Sequence, residues 1–561
     1  MRRLFKSEMR SFHFLNVTQF LGALNDNIFK FLVIFFLINL KGSEAASTVL
    51  AIAGGVFVVP FLLFSASAGV LADRKSKQKV VVCTKIAELI IMLCGTLAIY
   101  LKSEVGSYSI LFLMASQSAA FGPCKYGIIP EIVASNKVSK ANGLLNSMTY
   151  LAVIIGTFLA AQITNFTNKN FVTASLLCIV ISIVGIFTSL QIEKTPAKHS
   201  QKKLSPNFFG DIMKTLSLSH KKPHLLWAIL GSAFFLFIGG FTQLNAIPFA
   251  IASLNLSEVA GSYLFLITAV GIAIGSIIAG KLSRDRVEIG MACTAGFILG
   301  FLYLLLFLFS ASLSISVIML ILLGLFGGLF LIPFDAFIQL NSPDESRGQV
   351  VAATNFMSFV GVLLASIFLY LTNSLLQFSP AAGFGIIGVL SLLFAILITG
   401  RMSHLFFPYF VDKILLRFYS VEIRALPKKP CVLLLDKCAF PETLVLFSLF
   451  HHLRIFRIAK LFKKFPYFDG LIKTFHLIPS RRANRAYIYL MLKKCRKLNK
   501  NGIYTAFIPN TKKSKEVLSD MAAKAEIRPY YLKTSTEIIH KNIMGISHRK
   551  RHITFTFYQK A

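Results

Sequence analysis

Charged and amide side chains interrupt the first long apolar stretch of the chain near its middle. Asn25, Asp26 and Asn27 are followed by Lys30, and the spacing of four places Asp26 and Lys30 on one helix face, where they can form an ion pair. Placing an ionised side chain in the middle of a bilayer costs at least ~2.5–3.5 kcal/mol of free energy. A residue of this kind is therefore a candidate functional residue. We expect these four side chains to bind a polar solute or headgroup in a water-filled path; a structural pair that joins helices is the alternative.

A second polar cluster lies in the fourth apolar stretch. Gly122-Pro123 and two further helix breakers surround Lys125, which predicts a distorted helix whose free backbone groups line a cavity. Lys125 can then bind an anionic headgroup. In the second half of the chain, Gln243 and Asp335 are polar interruptions of the same kind, and we rank them below the first-half residues as substrate contacts.

The composition identifies the solvent around these residues. Of 561 residues, 55% are hydrophobic and only 15% are charged, whereas soluble globular proteins have about 25% charged residues. A bilayer is therefore the solvent for most of the chain. The 8 Cys form no paired spacing, and we expect them to be reduced, with no metal site and no disulfide framework.

The elements that position the polar residues are predicted to be transmembrane helices, because ~20 apolar residues cross the hydrocarbon. About twelve such spans are present, at 13–40, 47–71, 80–100, 109–132, 143–165, 171–191, 224–249, 260–281, 288–311, 313–338, 350–373 and 381–400. We therefore predict an all-α membrane protein whose units are a six-helix lobe over 1–192, a basic linker over 193–222, a second six-helix lobe over 223–400 and a tail over 401–561. Two such lobes joined by a linker are the layout of a secondary transporter with its substrate path between them.

The short loops indicate how these helices are oriented. Loops rich in Lys and Arg, such as those at Arg2 and Arg74, lie on the side of the linker, and the opposite loops are poor in positive charge. By the positive-inside rule, both termini, the linker and the tail are predicted to be cytoplasmic. Lys85, Glu88 and Glu131 lie near the cytoplasmic helix ends, where snorkelling explains them at least as well as substrate contact. The first apolar stretch is too long for a cleavable signal.

The loop after the second span resembles the G-x-x-x-D-R-x-G-R signature of the major facilitator superfamily. It reads Gly69-Val-Leu-Ala-Asp73-Arg74-Lys75-Ser76-Lys77, with Ser76 where the family usually has Gly. The resemblance implies the major facilitator fold and a gating role for Gly69, Asp73 and Arg74. We expect the Asp73 carboxylate to pair with the Arg/Lys cluster at the helix ends and to hold the lobes closed on this side.

Longer blocks resemble the lysophospholipid transporter branch of that superfamily. They are Thr18–Lys30, Gly122–Glu131 and Arg347–Asn355, within a similarity that covers residues 10–400. The resemblance implies a flippase that moves lysophospholipids, such as lysophosphatidylethanolamine, across a bacterial-type inner membrane toward the cytoplasm for reacylation. It also implies that Asp26 is the matching intramembrane acid, and that lysophospholipid and membrane lipids are the partners.

The tail over 401–561 is strongly basic, with 32 of the 59 Lys+Arg and 9 of the 24 Asp+Glu. Short apolar runs predict a small cytoplasmic α/β domain, with helices over 442–459 and 483–498, and its order resembles the glycerolipid acyltransferase family. The N-H-x-x-x-x-D block of that family reads Asp436-Lys-Cys-Ala-Phe-Pro-Glu442, so Lys437 replaces the His and Glu442 the Asp. The resemblance implies a phosphate contact for Arg481, and Asn510 stands where the family has Glu.

Lys437 is protonated at pH 7 unless it is strongly desolvated, so it cannot act as a general base. We therefore predict an acyltransferase-like domain without catalytic residues, although activity through Lys437, His451 or His452 is an open alternative. A separate acyltransferase or an acyl donor protein is a candidate partner of this domain. Attraction to anionic lipid is the simpler interpretation of the basic tail, and we expect no nucleic-acid partner.

Three functions are therefore open. Lysophospholipid transport leads, followed by transport of a small polar solute coupled to a proton through Asp26, and then by a bifunctional transporter and acyltransferase. The chain lacks the G-x-x-x-x-G-K-[ST] loop, which argues against ATP-driven transport. We expect no cofactor.

Overall fold

The structure is a computed structural model. It describes residues 2–42, 46–197, 208–222, 224–283 and 287–415, and in the tail 419–425, 427, 431–435, 445–446, 449, 453–459, 478–479, 504–508, 520, 522, 524, 530–543 and 546–558. In chain order the helices are α1 (Arg2–Lys41), α2 (Ala46–Arg74), α3 (Lys77–Tyr100), α4 (Glu104–Gly127), α5 (Ile129–Ile132), α6 (Val138–Phe166), α7 (Phe171–Leu190), α8 (Phe208–Lys221), α9 (Leu225–Leu254), α10 (Glu258–Leu282), α11 (Ile289–Leu308), α12 (Leu313–Asn341), α13 (Arg347–Leu369), α14 (Pro380–Arg401) and α15 (Ser403–Phe410).

The long helices follow the predicted spans. Within the described residues, eleven helices are long and apolar enough to cross a membrane, which confirms a mostly helical, multi-pass membrane protein. Twelve spans were predicted, and the helix at the fourth, α4, is not among the eleven. It is less apolar because it contains Gln117, Lys125 and several Ser residues. The sequence predicts a distorted helix here, and the helix does break after Gly127, where α4 ends. Helix α5 follows with Pro130 in its first turn. Pro123 does not break the helix and lies inside α4.

Helices α8 and α15 were not predicted. The linker contains α8, whose Ile212 is buried and packs with Phe208 and Leu216 against Ala66 and Phe356. The spacing of four between these apolar residues places them on one helix face. The linker joins two groups of long helices, α1–α7 and α9–α14. It is thus anchored to the membrane domain.

The chain divides into two compact units, one of residues 1–288 and 294–395 and the other of residues 289–293 and 396–561. The first unit contains both groups of long helices, which pack against each other through α2 with α13 and α6 with α10. Glycines permit this close approach. A Cβ on Gly69 would lie 2.8 Å from Gln349 Cα, and one on Gly143 would lie 3.1 Å from Gly280 Cα.

The two groups of helices have different interiors. The first packs aliphatic and aromatic residues around Phe29, Leu32 and Met92 but also buries ionised side chains. The second is held by aromatic pairs, including Phe234 stacked on Phe394 at a centroid distance of 4.0 Å. The second group also buries polar side chains, among them Asn245, Gln339 and Arg347.

The second unit contains one described sheet. Its strands are β1 (Tyr419–Arg424), β2 (Val432–Leu435), β3 (Leu453–Ala459), β4 (Ile478–Pro479), β5 (Tyr504–Ile508), β6 (Tyr530–Ile543) and β7 (Ile546–Tyr558), in the order β1-β7-β6-β2-β5-β3-β4. Only β6 and β7 pair antiparallel among the described strands. Leu433, Leu446 and Phe555 are fully buried in its core.

The tail corrects one prediction from the sequence. The helix predicted over 442–459 is wrong in its second half, where residues 453–459 form β3 and pair parallel with β5. The stretch Leu-Arg-Ile-Phe-Arg-Ile-Ala is rich in residues that favour a half-buried strand, and the pairing partner decides between the two conformations. The second predicted tail helix, 483–498, lies outside the described residues.

Candidate functional site

Asp26 of α1 faces α4. Its Oδ2 atom accepts a hydrogen bond of 2.6 Å from the Ser118 hydroxyl, which makes a second contact of 3.2 Å with Gln117 Oε1. The other carboxylate oxygen, Oδ1, is buried and has no hydrogen-bond partner among the described residues. A buried acceptor without a partner is costly, so this oxygen is a ready contact for a donor on a bound molecule.

Lys30 does not form the predicted ion pair with Asp26. Its Nζ atom lies 3.4 Å from Asn27 Oδ1 and 5.1 Å from the ring centroids of both Phe31 and Phe57. Asn27 in turn donates to the Ala23 carbonyl within the helix. Although four residues apart, Asp26 is directed to α4 and Lys30 to α2, because the neighbouring helices supply a hydroxyl on one side and aromatic faces on the other.

Lys85 and Glu88 form a buried ion pair beside Asn25, the neighbour of Asp26. The sequence placed both residues near the helix ends. Lys85 and Glu88 of α3 are 2.6 Å apart, with side-chain exposures of only 1% and 2%. Glu88 accepts a further hydrogen bond of 2.9 Å from Asn25, so both partners are interior groups and do not snorkel. Gly22 of α1 makes room for this pair, because a Cβ there would collide with Lys85 Nζ. The spacing of three residues between Lys85 and Glu88 was the sequence signal that could have predicted this ion pair.

Lys125 is the cation that connects the two groups of helices. It interacts electrostatically with Asp26 of α1 and with Asp335 of α12. Its Nζ atom lies 4.9 Å from the Tyr126 ring centroid and 5.9 Å from that of Phe121. Within the described residues no carboxylate lies within 4 Å of it, in contrast to Lys77 and Lys85. An ammonium without an ion-pair partner among the described residues can bind an anion.

Asp335 lines a cavity of about 270 Å³ between the two groups of helices. It accepts hydrogen bonds from Ser232 at 3.1 Å and from Asn146 at 3.2 Å, and Asn146 accepts one of 3.0 Å from the Tyr126 hydroxyl. The remaining wall includes apolar side chains such as Leu331 and Phe359. The cavity thus has a polar side and an apolar side.

Gln243 lies apart from this arrangement. Its side chain is exposed on α9, whereas the neighbouring Asn245 is fully buried and donates to the Pro380 carbonyl at 2.8 Å. Lys125 interacts electrostatically with both Asp26 and Asp335, although only Asp335 of the three lines the cavity. Gln243 lies outside this group. The predicted tail residues Lys437, Glu442, Arg481 and Asn510 lie outside the described residues.

Asp73 joins the two groups of helices at one end. Its carboxylate is fully buried and accepts hydrogen bonds from the backbone N–H of Gly348 at 2.6 Å and of Gln349 at 2.9 Å. These N–H groups belong to the first turn of α13, where a negative charge is favoured. The predicted direct ion pair with the Arg/Lys cluster is not formed: Arg74 is exposed, and Lys77 forms its ion pair with Glu131 at 2.6 Å and acts on Asp73 only electrostatically.

Replacing Asp73 with Asn is expected to open this end of the membrane domain. Hydrogen bonds to a charged group contribute about 1.5–3 kcal/mol, so the equilibrium between closed and open forms should shift by about 10-fold or more. Spin labels at the exposed positions Lys79 and Glu345 would report the distance. Arg74→Gln is the control and should leave the distance unchanged. An equal opening by Arg74→Gln would favour the cluster pairing instead.

Comparison with known proteins agrees with the arrangement of the helices. The family model described as Major Facilitator Superfamily matches residues 15–366. A protein named lysophospholipid transporter LplT from Klebsiella pneumoniae subsp. pneumoniae is 26% identical over 353 residues, covering 62% of this chain and 84% of the relative. A protein of the same name from Enterobacter sp. (strain 638) is 25% identical over 397 residues, covering 68% and 92%.

Solved structures show the same fold at low identity. The human organic anion transporter MFSD10 (TETRAN) has a TM-score of 0.58 and 13% identity, covering 70% of this chain and 99% of the transporter. A variant of the E. coli fucose:proton symporter FucP has a TM-score of 0.57 and 14% identity, covering 69% and 98%. These likenesses concern the fold alone.

Proposed function

The chain belongs to the Major Facilitator Superfamily, and from this membership we propose that it is a secondary transporter of lysophospholipids such as lysophosphatidylethanolamine. The relatives named lysophospholipid transporter support this proposal, since each matches this chain over most of its own length. The movement is a flip across a bacterial-type inner membrane toward the cytoplasm, where the product is reacylated. Both termini are cytoplasmic in this proposal.

The observation that carries the proposal is that Lys125 has no carboxylate within 4 Å among the described residues, in contrast to Lys77 and Lys85. Lys125 interacts with Asp26 of one lobe and with Asp335 of the other. A phosphoethanolamine headgroup has one negative phosphate and one positive ammonium. The phosphate binds Lys125, and the ammonium donates to a carboxylate such as Asp26, whose Oδ1 is without a partner among the described residues. A zwitterion thereby satisfies charges that the protein leaves uncompensated.

The cavity at Asp335 is lined by Tyr126, the chain neighbour of Lys125, and suits a headgroup better than a whole lipid. Its volume of about 270 Å³ lies below the ~300–1,000 Å³ of typical ligand pockets. The acyl chain therefore extends between the helices along apolar side chains, of which Phe359 lines the cavity and stacks on Phe61 at 4.3 Å. The same small volume favours the second candidate function, transport of a small polar solute.

The tail is a cytoplasmic α/β acyltransferase-like domain without catalytic residues in this proposal. The parallel pairing of β2 with β5 and of β3 with β5 is typical of such a domain and supports its class. It binds headgroups or docks a separate acyltransferase or acyl donor protein beside the transporter. Membrane lipids and the lysophospholipid are the remaining partners.

The test is uptake of labelled lysophosphatidylethanolamine by spheroplasts that lack their own transporter. Wild type should transport, and Asp26→Ala should be at least ~30-fold slower, since removal of one partner of the proposed charge pair between this carboxylate and the lipid ammonium costs ~2–5 kcal/mol. Glu104→Ala, at an acid paired with Lys41 near the opposite helix end, is the matched control and should transport normally.

Two results would contradict the proposal. Equal background rates for wild type and Asp26→Ala would remove the lipid assignment. Inhibition by free glycerophosphoethanolamine without any lipid movement would favour the small polar solute.

A further inference from the structure

A second cavity lies away from the polar site, beside the crossing of α6 and α10. Its volume is about 400 Å³, and its described lining consists of Phe12, Val133, Lys137, Lys140, Ala141, Leu144, Ile277 and Lys281. Three residues are lysines, five are apolar, and none is acidic. This lining of apolar and basic side chains differs from the lining of the cavity at Asp335, which includes carboxylate and amide groups.

The three lysines come from both lobes. Lys137 and Lys140 lie at the start of α6 in the first lobe, and Lys281 lies in the last turn of α10 in the second. The backbones are in close contact here, since a Cβ on Gly280 would lie 3.0 Å from Lys140 Cα. Closure of the lobes at this end therefore brings like charges together, which costs free energy unless an anion lies between them.

The two helices that supply the lysines contain little compensating negative charge. α6 contains no acid, and the only acid of α10, Glu258, is at the opposite end of that helix. The nearest acid on α5, Glu131, is already paired with Lys77 at 2.6 Å. Lys140 and Lys281 are exposed, and the described residues provide no ion pair for either. The cavity is therefore a cationic site with an apolar base.

We propose that this cavity binds an anionic phospholipid of the adjoining leaflet, with its phosphate between Lys140 and Lys281 and an acyl chain on Phe12, Leu144 and Ile277. Basic pockets between transmembrane helices are a known way of holding anionic headgroups. The bound lipid touches both lobes only when they are closed at this end, so it stabilises the same closed form as the Asp73 contact. Anionic lipid is thus a regulator of the transport cycle and not the transported molecule.

The experiment measures phosphatidylglycerol retained by the full-length protein in native mass spectrometry, with spin labels reporting the distance between the lobes in a parallel sample. The Lys140→Gln/Lys281→Gln variant should bind phosphatidylglycerol roughly 30-fold more weakly than wild type. It should also lose the closure that phosphatidylglycerol produces relative to phosphatidylcholine. Lys194→Gln/Lys214→Gln, at two exposed lysines outside the cavity, is the matched control and should behave as wild type.

A charge-conserving variant separates binding from folding. Lys140→Arg/Lys281→Arg should retain both phosphatidylglycerol and closure. The proposal would be overturned if the Gln variant and wild type retained equal amounts of phosphatidylglycerol. Displacement of phosphatidylglycerol by inorganic phosphate alone would also overturn it. So would a closure of the lobes with lysophosphatidylethanolamine equal to that with phosphatidylglycerol. The last result would assign the cavity to the transported lipid.

Discussion

Replacing Lys125 with Met should abolish lysophosphatidylethanolamine transport while the protein stays folded. Without the ammonium, Asp26 and Asp335 lose the cation that interacts with both, and the lipid phosphate has no positive partner. Removal of one side of a buried charge interaction costs ~2–5 kcal/mol, which corresponds to a rate at least ~30-fold lower. The measurement is uptake in spheroplasts at matched expression, with thermal unfolding to confirm the fold.

Two variants make this result specific. Lys125→Arg keeps the charge and should retain part of the transport, with weaker fit because a planar guanidinium replaces a compact ammonium. Lys169→Met removes an exposed lysine near the other end of the first lobe and should have no effect. Normal transport by Lys125→Met would show that the phosphate binds elsewhere and would remove the central support for the headgroup site.

Replacing Lys85 with Met should cause a large loss of stability. The pair with Glu88 is 2.6 Å long and almost completely buried, so the substitution leaves an uncompensated carboxylate in the interior. Breaking a buried pair in this way costs about 3–5 kcal/mol. Thermal unfolding of the purified protein should show a large decrease in midpoint, with reduced expression.

The double variant Lys85→Met/Glu88→Gln tests the cause of that loss. It removes both charges, and the introduced amide oxygen can still accept the hydrogen bond that Asn25 donates to Glu88 at 2.9 Å. We expect most of the stability to return, since an uncharged replacement of a buried pair is often neutral. A double variant as unstable as Lys85→Met alone would mean that packing against Phe121, whose ring centroid lies 5.2 Å from Lys85 Nζ, outweighs the charge.

The helices could be predicted from the sequence because a long apolar run has few stable conformations in a bilayer other than a helix. α8 was missed although Phe208, Ile212 and Leu216 repeat every four residues. Its lysines indicate a basic linker and obscure the periodicity of its apolar face. The β3 stretch was missed for a different reason, because its conformation depends on pairing with β5, about 50 residues later in the chain.

The site was predicted in part. Asp26 and Lys125 stood out because a charge within an apolar run is costly wherever the helices pack. Their partners could not be predicted, because they depend on how helices meet in three dimensions. Ser118 is 92 positions from Asp26, and Gly348 is 275 positions from Asp73. Local spacing therefore favoured Lys30 and Arg74, which were the nearest opposite charges in sequence.

The separation between α1 and its hydrogen-bond partners has a consequence for biosynthesis. α1 is made first and carries Asn25 and Asp26, yet their partners Glu88, Ser118 and Ser182 follow 63, 92 and 157 positions later. Released alone into lipid, α1 would expose these groups at a cost of several kcal/mol. We therefore expect it to stay beside the translocon until α3, α4 and α7 arrive, so that the first lobe enters the bilayer as one assembled body.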